Sequence, residues 1–141
     1  MEVNDLRVMK LRTYLMSIIA EINEEYQQLN VNFLSNDVNN YSLDKIPTEP
    51  QVEQWILGAS IKRDLYSFRS RMNYSADTIS NIENIGFYET FEKKIEERNK
   101  ANILPDIDNI ESVMCLNCGS MVNATTNTAE FDIQIEIDYR D

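Results

Sequence analysis

Phe131-Asp132-Ile133-Gln134-Ile135-Glu136-Ile137-Asp138-Tyr139-Arg140 is the stretch that decides the fold class. Apolar and polar residues alternate there with a period of two, as in a strand that buries one face and shows the other to a polar surrounding. Phe131, Ile133, Ile135, Ile137 and Tyr139 make the core face, and Asp132, Gln134, Glu136 and Asp138 make an acidic one. Asn109 to Cys118 offers an antiparallel partner. The residues between, Gly119 to Thr128, are rich in Ser, Asn, Thr and Ala and read as a long polar hairpin loop.

The same period recurs upstream. Tyr66, Phe68, Ser70 and Met72 share one face while Ser67, Arg69 and Arg71 share the other, so Ile61 to Met72 reads as a half-buried strand. With Gln51 to Leu57 it forms a hairpin about Gly58-Ala59-Ser60, where Gly58 supplies a permissive backbone. Between the two hairpins the period changes to helical. Ser75 or Asp77 can cap a helix carrying Ile79, Ile82 and Ile85, then Phe87, Phe91 and Ile95, and Gly86 between the two sets predicts a break or kink.

At the N-terminal end Asp5 can cap a first helix, along which Val8, Leu11, Leu15, Ile18, Ile19, Ile22, Tyr26 and Leu29 recur at three- and four-residue spacing. Its basic residues come early and its acidic ones late, against the helix dipole, so its stability must come from packing. Asn30 to Pro50 shifts to Asn, Asp, Ser and Pro. A strand at about 31–38 and an irregular turn held by Tyr41 and ended by Pro47 and Pro50 are expected there. The order α-β-ββ-α-ββ predicts an α+β fold, one domain over residues 1–141, with helices covering one face of a mostly antiparallel sheet.

Thirteen Lys and Arg against twenty-four Asp and Glu leave a formal net charge of −11. That disfavours a phosphate-neutralising nucleic-acid surface. Thr13 to Ala20, uncharged between Arg12 and Glu21, is far shorter than the ~20 apolar residues of a membrane span. The acidic start Met1-Glu2-Val3-Asn4-Asp5 lacks the basic flank of an export signal, so a cytoplasmic origin is expected.

Chemistry-bearing constellations are few. Cys115-Leu116-Asn117-Cys118 has metal or redox spacing, yet the chain has no other cysteine and no histidine, so structural cysteines are the better reading. Without histidine the commonest general base is missing. Glu83, Glu89, Glu92, Glu96 and Glu97 read as a solvated helix face, and Trp55, Tyr66, Phe68, Tyr74, Phe87, Tyr88 and Phe91 as core rather than a ligand pocket. No phosphate-binding glycine loop exists. No catalytic, cofactor or metal site is expected, and the protein reads as a non-enzyme.

Two segments carry a resemblance: Asn39-Asn40-Tyr41-Ser42-Leu43-Asp44-Lys45-Ile46-Pro47 and Asn81-Ile82-Glu83-Asn84-Ile85-Gly86-Phe87-Tyr88-Glu89-Thr90-Phe91. In their order, with a hairpin between them and two closing strands after, they resemble the tail terminators (tail-completion proteins) of phages of Gram-positive bacteria. The likeness runs from about residue 30 onward. It implies a structural virion protein of the tail or neck, assembled in the host cytoplasm as a homo-oligomeric ring, a hexamer in that family. Such a ring caps the tail tube, stops its polymerisation and offers a docking surface to the head. Tube protein, possibly sheath, and neck or head-completion proteins are the implied partners, with DNA passing through unbound and no membrane contact. Asp132, Glu136 and Asp138 are the candidate channel or docking face. Asn39, Tyr41, Ser120, Asn123 and Asn127 are the candidate contact-loop residues. The alternatives are another neck or head-completion connector, or a small acyltransferase-like or ligand-binding α+β protein.

Overall fold

The strict alternation of the C-terminal stretch produces a strand as long as the pattern. In a computed structural model describing residues 2–26, 28–47, 51–54 (backbone only), 60–117, 119–125 and 127–140, the first helix α1 is Arg7–Ile22 and the second, α2, is Thr78–Lys100. The strands are β1 (Gln28–Val31), β2 (Asn40–Ile46), β3 (Gln51–Gln54), β4 (Ser60–Asn73), β5 (Ile110–Cys115), β6 (Ser120–Ala124) and β7 (Thr128–Arg140). They form one sheet in the order β1-β2-β4-β7-β5, with β3 also pairing β4 and β6 also pairing β7. Among the described residues, only the β1–β2 pair is parallel.

The centre of the sheet is the antiparallel pairing of β4 with β7, which runs from Ile61 opposite Arg140 to Asn73 opposite Thr128. Register puts Tyr66 beside Ile135 and Phe68 beside Ile133, so both alternating patterns turn the same way and bury together. β2 and β3 lie in sequence along one side of β4, and β5 and β6 along the free side of β7. The molecule is thus two long hairpins laid side by side, each with one interrupted arm. Of the expected β3–β4 turn, Gly58 and Ala59 lie outside the described residues, as do Trp55 and Pro50.

The first helix is shorter than its apolar spacing predicts. It stops at Ile22 because Asn23 leaves helical geometry and spends its side-chain amide on Asn39 Oδ1 (3.2 Å) and the Tyr41 hydroxyl (3.0 Å). Leu29, expected on the helix, is buried from β1 instead. Nor does Asp5 cap α1: it belongs to a 3-10 turn, Val3–Asp5, and Leu6 takes the cap position without a side-chain hydrogen bond. Packing replaces capping. Leu11, Leu15, Ile18 and Ile19 are fully buried, and Arg7 reaches the buried Asp64 on β4 (2.6 Å).

The strand expected at 31–38 and the turn expected at Asn39–Pro50 are exchanged. Residues 32–39 are irregular, bracketed by Asn32 (φ 56°) and Asn39 (φ 60°), which adopt the left-handed conformation that asparagine tolerates best after glycine. The turn is strand β2, in which Tyr41 and Leu43 alternate with Ser42 and Asp44 and are buried against β4.

α2 begins as expected, with Asp77 accepting from the Ile79 N–H (3.2 Å) and the Ser80 hydroxyl (3.0 Å). It does not break at Gly86. The helix runs unbroken to Lys100 because Asn84 before Gly86 and Phe87, Tyr88, Phe91 and Ile95 after it hold α2 on the sheet across a merely helix-poor residue. Tyr41, Phe68 and Phe91 stack with ring centroids 5.5 and 4.8 Å apart, and Phe87 adds to the stack 5.6 Å from Tyr41. The two helices are joined by Glu21, which binds Lys94 and Arg98, and by Arg98 lying over the Tyr14 ring.

Candidate assembly surfaces

Both helices pack on one face of the sheet, so among the described residues the opposite face is built from outward positions of the strands. β4 contributes Arg63, Leu65, Ser67, Arg69 and Arg71, and β7 contributes Glu130, Asp132, Gln134, Glu136 and Asp138, directly opposite them in register. Arginine therefore meets carboxylate across the seam. Arg63 pairs with both Glu136 and Asp138 (3.0 Å to the latter), and Arg69 with Asp44 on β2 (2.5 Å) and Glu130 (3.4 Å). Asp132 instead accepts a hydrogen bond from the Ser67 hydroxyl (2.5 Å).

Asp132, Glu136 and Asp138 thus share a face, as the alternation requires, but it is not the bare acidic surface expected. Glu136 is only 5% exposed, lying between Leu65 and Met114 in register, and burial followed by the nearby Asp138 charge raises its pKa despite Arg63. Sequence alternation shows which residues share a face. It does not show that β4 would answer β7 with arginines.

The contact-loop residues scatter. Tyr41 is wholly buried and cannot meet a partner; burial lifts its phenol to about 12. Asn39 is half-buried and donates its N–H to the Arg71 carbonyl (2.8 Å). Ser120 and Asn123 are exposed but stand on β6, since most of the expected Gly119–Thr128 loop is strand. Asn127 lies in the bend between β6 and β7, its carbonyl accepting from the Tyr74 N–H (2.9 Å).

α2 departs furthest from its sequence reading. Ile79, Ile82 and Ile85, grouped above with the apolar set, are exposed at 63%, 56% and 55%. The buried face uses Asn84 instead, which donates to the Asn73 carbonyl (2.7 Å). Two further polar residues of α2 were missed by the solvated-face reading. Asn99 bonds both backbone groups of Val113 on β5, and Glu92 accepts from the Gly119 N–H (3.1 Å). Their i, i+7 spacing, which sets them on one side of the helix, was the available signal.

Between α2 and β5 lies an open groove of about 570 Å³ bordered by Glu92, Ile95, Asn99, Val113 and Leu116. Cys115 flanks it, packed against the core, while Cys118 lies outside the described residues. Among the described residues no cluster of three or more Cys, Asp or Glu could hold a metal ion, and no helix is long and apolar enough to cross a membrane. No family model and no curated protein sequence matches the chain.

Proposed function

We propose that this chain is a tail terminator: a structural subunit of a phage tail or tail-like particle that forms a ring on the end of the tail tube. The observation that carries the reading is where the two resembling segments lie. Tyr41 of the first stacks on Phe87 of the second at 5.6 Å, and both join Phe68 and Phe91, so the segments form one packed unit. The resemblance thus falls on residues that this chain packs into its core. The contact surfaces are this chain's own.

The described surface is consistent with work done by shape. Many of its polar groups on the helix-free face are engaged with one another, and apolar groups are exposed on α2 (Ile79, Ile82, Ile85) and on β6 (Met121, Val122). A ring that fits a tube on one side and a connector on the other stops growth through geometry. The net charge of −11 leaves DNA passing through it unheld.

Co-expression with a tail tube protein tests the reading. Tubes of unregulated length without this chain, and tubes bearing a ring at one end with it, are expected by electron microscopy. Unchanged tubes that never carry the chain would remove the terminator role, and a chain found only on head connectors would move it to the neck.

A further inference from the structure

From Ser112 to Ala129 there is no Asp, Glu, Lys or Arg, in a chain where such residues make up 26%. This neutral stretch holds most of β5 and all of β6, the outermost strands beyond β7. An outer strand turns half its backbone N–H and C=O groups away from the sheet, and proteins normally protect such an edge with charge, proline or a cover. The β5 part is covered. Asn99 takes the Val113 carbonyl and N–H, and Glu92 takes the Gly119 N–H.

The cover ends there. All five residues of β6 are exposed, with Met121 at 49% and Val122 at 52%, and among the described residues β6 has no neighbour besides β7. α2 runs on past it. Asn99 to Glu92 is two helical turns, about 10 Å, and two more reach Ile85. Tyr88, one turn from Ile85, contacts the Phe131 ring at 5.7 Å, and Phe131 is the cross-strand partner of Met121. Ile85 therefore continues the side of α2 that Glu92 and Asn99 turn to this edge, with the exposed Ile82 one turn before it.

We propose that β6 receives an added strand from a partner protein, a segment in which apolar residues alternate with Lys or Arg. Backbone groups of β6 pair with it, and its apolar side chains lie under Ile82 and Ile85 beside Met121. Charge selects the rest. No Lys or Arg occurs between Arg71 and Lys93, whereas Glu89 and Glu92 lie on the side of α2 that carries Ile85. On the opposite face Asp132, in register with Ser120 of β6, has no ion-pair partner among the described residues. A second copy of a chain with net charge −11 is the poorer occupant. The inference stands on the β6 edge alone and does not require the tail role.

A short peptide of alternating valine and lysine is the probe, with its valine–glutamate counterpart as control. Titration followed by NMR is expected to slow amide exchange at Ser120–Ala124 and to shift the Ile85 and Met121 methyl signals with the lysine peptide only. Ile85→Ser, which removes the apolar side chain at an exposed site without adding charge, is expected to weaken binding about tenfold or more. Unprotected β6 amides, equal binding of both peptides, or binding indifferent to Ile85→Ser would overturn the proposal. So would β6 amides already protected in a peptide-free dimer, which would make a second copy the occupant.

Discussion

Asn99 on α2 stands in for a missing strand beside Val113: its amide donates to the Val113 carbonyl at 2.5 Å and its carbonyl accepts from the Val113 N–H at 3.1 Å. A single side chain satisfies both outward groups of one edge residue. Asn99→Ala is expected to cost about 1–2 kcal/mol, because two partly buried backbone groups lose their partners. Asn99→Asp keeps an acceptor for the N–H and loses the donor, so it should fall at least as far. Thermal melting and amide exchange at Val113 read both.

Two glycines should respond in opposite directions. A Cβ on Gly119 would overlap the Tyr88 ring, whereas one on Gly86 meets nothing within 4 Å. Gly119→Ala is expected to destabilise by about 1–3 kcal/mol, and Gly86→Ala to stabilise by about 0.5–1 kcal/mol through helix propensity. Denaturant midpoints compare them. A destabilising Gly86→Ala would restore the kink that the helix pattern predicted.

Glu136 tests whether the paired face contributes to stability or only to surface chemistry. Burial raises its pKa above the ordinary 4.5, so the folded state holds the proton more tightly than the unfolded one. As pH rises from that value through the raised one, the wild type loses stability. Glu136→Gln lacks this loss, and Arg63 keeps Asp138 as partner. The variant is therefore expected to be as stable as wild type or up to about 1 kcal/mol more stable at neutral pH, the difference vanishing below about pH 4. Melting curves across that range would show the crossover.

Ile135 is fully buried on β7, and Val122 is half exposed on β6. Ile135→Asp is expected to abolish folding, since an unpaired buried charge costs roughly several kcal/mol. Val122→Asp should stay within about 0.5 kcal/mol of wild type. Circular dichroism of the purified variants separates these outcomes, and a folded Ile135→Asp would overturn the register of the sheet.

The legibility of this fold followed the strength of its periodicity. β7 and most of β4 could be read because nothing competes with their alternation. β2 was hidden because Asn39, Asn40, Ser42 and Asp44 look like a turn, although Tyr41 and Leu43 keep the period of a buried strand. The isoleucines of α2 misled for a geometric reason: a spacing of three retreats about 60° at each step, so Ile79, Ile82 and Ile85 wind off the face held by Phe87, Phe91 and Ile95. A polar residue, Asn84, fills their place on it. The candidate contacts were legible only as composition, and whether Ser120 and Asn123 lie on a loop or a strand depends on β7, far along the chain.

The place of β7 has a consequence for how the molecule is made. The strand nearest the end of the chain as given lies between β4 on one side and β5 and β6 on the other, so no earlier portion of the chain contains a finished sheet. Residues 1–100 of the sequence as given hold two α-helices and, among the described residues, four strands, and the β7 side of β4 has no partner there. Productive folding must wait for residues 128–140, and a chain stalled before them would leave the long edge of β4 open to other strands.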